Sequence, residues 1–359
     1  MEKGKMINEK FKKIFWSVFS TLFAVLTLWI LLKQNENVSL GDIARTAATA
    51  NHFWLISAAV SSLLFILFEG FAVCSILKGA GFKRNKTSGI LYATADIYFS
   101  AITPSATGGQ PASAYFMMKD GIPGGVTTAV LLLNLMMYTL SIVALGALSV
   151  LICPGAFMTF NLPSKILIAA GTVAQLALAA FFMVILKKGS FIFNLLKKAV
   201  YSLGRKKLLR HSEKKIAKIN KAKSDYFSCS QLFSGNYPLL FRAFMWNFFQ
   251  RTAQILVPSL LYMSLGGNAE NGFRLFSRQC LITIGYNFIP LPGAMGVADY
   301  LMLNGFSDIT GRNMAFHLEM LSRGLTFYLC VSLSGLITLV GYLIVRRKFQ
   351  YAKAEKLSA

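Results

Sequence analysis

Long apolar runs separated by short polar segments dominate the chain. Six of them, 14–32, 53–77, 127–152, 166–186, 239–265 and 318–345, can each cross a hydrocarbon core of about 30 Å as a helix of about 20 residues. Two more, 90–102 and 281–291, are shorter, and each runs into a cluster of proline and glycine. The pattern predicts an all-α polytopic membrane protein with six full spans and two re-entrant, broken helical hairpins, one over 90–118 and one over 281–305.

Composition and charge sharpen this picture. Hydrophobic residues make up 55% and charged residues 14%, against about 25% charged in a soluble domain. The net charge of +23 raises nucleic acid as a partner, but the lysines and arginines collect in the segments 3–13, 78–86, 187–223 and 346–356. The intervening loops 33–52, 153–164 and 266–274 are poor in charge. The positive-inside rule then places both termini and the long linker in the cytoplasm. The segment 187–223 carries 13 Lys and Arg against one acid, Glu213. Within it Phe191, Ile192, Leu195, Leu196, Ala199 and Leu203 recur at helical spacing. That suits an amphipathic helix on an anionic membrane surface, where each basic residue contributes about 1 kcal/mol. No aromatic residues interleave the basic stretch 210–223, so nucleic acid is not an expected partner.

Counting spans from a cytoplasmic start makes the first broken segment enter and leave from the cytoplasmic side and the second from the outside. The two also resemble each other. Tyr98, Pro104 and Gly108 in one match Tyr286, Pro292 and Gly296 in the other, all three at one constant offset of about half the chain. This is the pattern of an inverted-topology repeat. It predicts a first transmembrane repeat over 1–186, a basic cytoplasmic linker over 187–236, a second repeat over 237–347 and a cytoplasmic tail over 348–359.

Proline removes an amide donor and breaks helices, and a half-helix starting after such a break directs free N–H groups and a positive dipole end at its surroundings. The predicted headgroup cavity therefore comprises Thr103, Pro104, Ser105, Gly108, Gly109 and Gln110 at the first break. Asn287, Pro292, Gly293, Gly296 and Asp299 form it at the second. Glu69, Asp96, Arg251, Glu319 and Arg323 are the charged residues expected to face it, since a charge at bilayer centre costs about 2.5–3.5 kcal/mol. Glu319 and Arg323 can pair along one helix face. Arg242, nearer a span end, fits a structural pair. The five scattered cysteines and three isolated histidines suggest neither a disulfide framework nor a metal site, and no P-loop, dinucleotide fingerprint or HExxH is present. No cofactor is expected.

The segment Thr103-Pro-Ser-Ala-Thr-Gly-Gly-Gln110 resembles the TPSxxGGE signature of the flippase-like transmembrane domain of the lysylphosphatidylglycerol synthase (MprF) family. Pro292-Gly-Ala-Met-Gly-Val-Ala-Asp299 resembles that family's PGGxGxxE, and Arg323-Gly-Leu-Thr-Phe-Tyr its last-helix pattern. The resemblance runs from about residue 10 to 347. Gln110 departs from the family's glutamate, Asp299 is a shortened acid, and Asn134 lies where the family has a Glu-Arg pair. The resemblance implies a flippase in a bacterial cytoplasmic membrane, with phosphatidylglycerol or its aminoacyl ester as partner. In two-part members a cytosolic domain makes that lipid. The chain ends at Ala359 without such a domain, so intrinsic transferase activity is not expected, and a separate cytosolic synthase or a homodimer would be the protein partners. Two other readings stay open: a phosphatidylglycerol lysyltransferase, alone or with a partner subunit, and a secondary carrier of a small anion or lipid-linked glycan.

Overall fold

The structure, a computed structural model, describes residues 49–103, 106–205, 212–289, 294 and 296–358. The described residues form helices and no strand. In chain order these are α1 (His52–Gly79), α2 (Lys86–Ile102), α3 (Gly109–Lys119), α4 (Gly124–Ile152), α5 (Leu162–Lys188), α6 (Ser190–Arg205), α7 (Ser212–Phe233), α8 (Tyr237–Ser264), α9 (Ala269–Asn287), α10 (Val297–Thr310), α11 (Arg312–Arg323), a π-helical stretch Gly324–Leu329, and α12 (Cys330–Ser358). A single turn, Gly155–Met158, joins α4 to α5. Asparagine opens most of the long helices. The side chains of Asn51, Asn161, Asn236 and Asn268 accept from the first-turn amides of α1, α5, α8 and α9, satisfying donors that have no helical partner.

Among the described residues, four helices are long and apolar enough to cross a membrane: His52–Gly79, Gly124–Ile152, Leu162–Lys188 and Arg312–Arg346. They match the runs at 53–77, 127–152, 166–186 and 318–345. The run at 239–265 is α8, with the same 28 residues as α1. It is less apolar because one face carries Asn247, Gln250 and Arg251, and that face is buried. The run at 14–32 lies outside the described residues.

The second broken segment begins earlier than its apolar run suggests. α9 starts at Ala269, because its first turns carry Glu270, Arg274 and Arg278 and break the apolar pattern without breaking the helix. Arg278 pairs with Asp308 of α10 and donates to Gly305 O at 2.6 Å, tying α9 to α10. In the first segment the hydroxyl of Tyr92 on α2 donates to Asp120, just past α3. The offset from Asp120 to Asp308 is the one that relates Pro104 to Pro292, and it also relates the first residue of α3 to that of α10 and the first residue of α4 to that of α11.

The packing shows the same order. α1 and α8 run antiparallel along their whole length. Asn51 N donates to Ser264 O (2.7 Å), Ser61 Oγ to Ala253 O (2.8 Å), and Arg242 Nε to Ser75 Oγ (2.8 Å). α2 packs on α12, where a Cβ at Gly335 or Gly341 would overlap Tyr98 or Leu91. α9 packs on α4, with Ser149 Oγ donating to Ser277 O at 2.7 Å. Each broken segment therefore leans on the long helix that follows the other. Gly70 and Gly89 bring α1 and α2 into backbone contact, since a Cβ on either would meet the other's main chain, the close approach that small residues permit between membrane helices.

The described part of the basic linker is mainly helical, as α6 and α7. α7 packs on α4, where a Cβ on Gly125 would overlap Ala222 O, and Tyr226 is buried with its hydroxyl donating to Ile185 O at 2.8 Å. α6 rests on α7 through Phe193, whose ring is tilted against Tyr226 with centroids 5.3 Å apart. Phe191, Ile192, Leu195 and Leu196 remain exposed.

Candidate functional site

The first break is closed by Thr103. Its hydroxyl donates to Phe99 O (2.6 Å) and accepts from Gly108 N (2.9 Å), capping the start of α3. Ala106 takes a left-handed φ of 52° within the break. Gly109 must be glycine, because a Cβ there would overlap Asp96 Oδ1 and Ser100 Oγ. That close approach lets Gln110 Nε2 donate to Asp96 Oδ2 at 2.6 Å, while Ser100 Oγ donates to Oδ1 at 3.1 Å.

The second break ends on Gly296, with φ 80°. The Asp299 carboxylate accepts from Gly296 N at 2.7 Å, capping α10, and also pairs with Arg323. Arg323 Nε donates to Glu319 Oε1 at 2.8 Å, so the i,i+4 pair read from sequence is formed. One guanidinium thus holds two carboxylates, one from the first turn of α10 and one from α11. The π-helical stretch begins at the next residue. Such wide turns recur at functional sites.

Glu69, Asp96 and Arg251 form a second group. The Glu69 and Asp96 carboxyls are in hydrogen-bonding contact, with Arg251 in electrostatic range of both. Gln250 Nε2 donates to Glu69 Oε2 at 3.0 Å. Arg251 lies between aromatic rings, 4.0 Å from the Tyr138 centroid and 5.0 Å from that of Phe65, and donates to Gln254 Oε1 at 2.6 Å.

The two breaks open on one cavity of about 270 Å³. Its wall includes Ala106 from the first break and Ala294 from the second, together with Asn287, Tyr138, Gln254 and Arg323. Tyr138 donates to Asn287 Oδ1 at 2.7 Å. Two further wall residues, Gln279 and Ser322, are buried yet keep an oxygen without a hydrogen-bond partner. A buried polar atom left unpaired costs about 1–3 kcal/mol, so these oxygens mark a place where a ligand or water gains a bond.

Of the residues predicted from sequence, Asn287 and Arg323 line the cavity, and Asp299 and Glu319 hold Arg323. Thr103, Gly108, Gly109 and Gln110 shape the first break, and Gly109 and Gln110 lie against Asp96. Glu69, Asp96 and Arg251 lie one layer behind the wall. Pro104, Ser105, Pro292 and Gly293 lie outside the described residues. Sequence reasoning missed Tyr138, Gln254, Gln279 and Ser322; the available signal was neutral polar residues inside otherwise apolar helices, with Gln254 three positions after Arg251.

Apolar helices long enough to span a bilayer, enclosing buried charges and a cavity of mixed polar and apolar lining between two interrupted segments, define an all-helical integral membrane protein. The chain belongs to the family described as "Lysylphosphatidylglycerol synthase TM region", whose sequence pattern matches residues 15–347. A relative, a "UPF0104 membrane protein" of Archaeoglobus fulgidus, is 23% identical over 336 residues, covering 91% of this chain and 97% of that protein.

Proposed function

We propose that the chain is a lipid translocase that moves a phospholipid with an anionic or aminoacylated headgroup, such as lysyl-phosphatidylglycerol, across a bacterial cytoplasmic membrane. One observation carries the reading: two breaks, whose left-handed alanines are separated by the same offset as Pro104 and Pro292, share a cavity with an arginine on its wall. Irregular backbone at membrane depth survives beside protein or a watery chamber, and the helix starts after the breaks favour an anionic group.

In this reading the backbone at Gly109 and Gly293, with Ser105 and Asn287, receives the phosphate, while the Gly108 and Gly296 amides stay on Thr103 and Asp299 and keep the two turns in shape. Arg323 and Arg251 balance the phosphate charge. Asp299, with Glu319, Asp96 and Glu69 behind it, meets a headgroup amine. Six spans, made of the four apolar helices, α8 and the run at 14–32, form two inverted halves, 1–186 and 237–347, joined by the linker 187–236 with α6 on the anionic leaflet. The antiparallel pairing of α1 with α8 and the crossed packing of α2 on α12 and α9 on α4 support this arrangement. Rocking of one half against the other then alternates access to the cavity.

The test is transport in vesicles reconstituted with the purified protein and headgroup-labelled lysyl-phosphatidylglycerol. Exchange between leaflets should exceed that in protein-free vesicles, and equal rates contradict the reading. New lysyl-phosphatidylglycerol in cells expressing this chain alone would make it a transferase instead. Solute uptake without lipid movement would make it a carrier of small anions.

A further inference from the structure

The enclosed group behind the cavity wall contains two carboxyls and one guanidinium. Glu69 of α1 and Asp96 of α2 touch each other, and Arg251 of α8 is the cation beside them. Tyr138 of α4 faces Arg251, Tyr286 of α9 stands near Tyr138, and α12 contributes Cys330, whose thiol donates to Ser62 O. Two touching carboxylates cannot both stay ionised inside a membrane against one positive charge. The group is electrically neutral when the pair keeps one shared proton.

The neighbours of the pair can serve it with or without a further proton. Gln250 is 1% exposed and donates its amide to Glu69, while its Oε1 has no partner. Gln110 donates to Asp96, and its Oε1 is also unpartnered. A primary amide can donate to a carboxylate or, turned over, accept from a carboxylic acid. Arg251, 7% exposed, likewise keeps an unpartnered Nε. Its other contacts lead to the cavity, since Gln254 and Tyr138 are wall residues.

We propose that Glu69 and Asp96 form a proton-binding site whose filling is linked to the loading of the cavity with an anion. This rests on the cavity reading above and adds its ion stoichiometry. With the cavity empty of anion, the pair holds one proton and its remaining negative charge is balanced by Arg251. When an anionic headgroup enters, Arg251 compensates that charge through Gln254 and Tyr138, and the pair takes a second proton from solution. One proton enters with each anion, and the net charge of the Glu69–Asp96–Arg251 group plus the anion stays zero in both states. Anion binding therefore tightens as pH falls.

Two measurements on the purified full chain test this. The first uses no lipid. Infrared difference spectra across a pH step should show the carbonyl band of a protonated carboxylic acid in the wild type. The band should be lost or shifted in Glu69→Gln and in Asp96→Asn, and kept in Glu270→Gln, which changes an exposed residue. The second adds dihexanoyl-phosphatidylglycerol in weak buffer with a pH dye. About one proton should be taken up per lipid bound, falling toward zero in the double variant Glu69→Gln/Asp96→Asn, which keeps no carboxyl to fill. The proposal is overturned if the wild type lacks the band, if both variants keep it unchanged, or if lipid binds without proton uptake. Failure of that lipid to bind, with the band present, removes the cavity reading and leaves the proton site standing.

Discussion

Ala106 and Ala294 share a backbone conformation that alanine rarely adopts. Their φ angles are 52° and 49°, they are separated by the same offset as Pro104 and Pro292, and both lie on the wall of the same cavity. A left-handed alanine costs about 1–2 kcal/mol, and β-branched residues fit the region worse. At each position, replacement by glycine is expected to leave thermal stability unchanged or raise it slightly, and replacement by valine to lower it by about 1–2 kcal/mol beyond the alanine parent. Thermal denaturation in detergent checks this; glycine proving more harmful than valine would contradict it.

Gly109 is a steric requirement of the first break. Gly109→Ala should separate α2 from α3, break the Gln110–Asp96 bond and cost about 1–3 kcal/mol as an overpacking change. Gly155 offers the contrast, with nothing within 4 Å of an added Cβ. Gly155→Ala should be close to neutral in the same denaturation experiment.

Arg323 is held by Asp299 and Glu319, and its side chain is only 12% exposed. Arg323→Gln leaves two adjacent carboxylates without their cation and is expected to cost about 3–5 kcal/mol. Asp299→Asn should cost less, because an asparagine oxygen can still cap Gly296 N. The reverse order of melting temperatures would mean that Arg323 is not the centre of the triad.

The Cys229 thiol lies in α7, in the linker, where burial pushes it from its ordinary value of 9.0 up to about 12. The folded chain holds this proton more tightly than the unfolded chain. Its contribution to stability is complete below about pH 9 and is lost as the pH rises toward 12. Melting temperature measured against pH should therefore fall over that window, and the fall should be smaller in Cys229→Ala.

How much of this was legible in the chain depends on the residue. The long spans and the Glu319–Arg323 pair follow from apolar length and four-residue spacing, both local signals. The start of α9 did not, because Glu270, Arg274 and Arg278 look like a loop until Asp308, far along the chain on α10, supplies the partner of Arg278. The hydroxyl of Thr103 reads as a free ligand in the sequence, yet the structure uses it to close its own turn. Tyr138, Gln279 and Ser322 carry no motif, since their role comes from where three separate helices meet. The exposed apolar face of α6 was legible from its period, whereas its anchor Phe193 was not, because its partner Tyr226 lies on another helix.

That face has its own consequence. Phe191 is 73% exposed beside Lys187 and Lys188. In protein carrying Phe191→Trp, the new tryptophan should become protected from aqueous quenchers in anionic bilayers and less so in neutral ones. Equal protection in both would remove the anionic leaflet as the partner of α6.

The most direct measurement is leaflet-to-leaflet movement of labelled lysyl-phosphatidylglycerol in vesicles containing either the wild type or Ala294→Trp, which fills the cavity from the second break. Wild-type protein should speed the movement well above protein-free vesicles, and the folded variant should return it to the protein-free rate. Unchanged movement through the filled protein would contradict passage by way of the shared cavity.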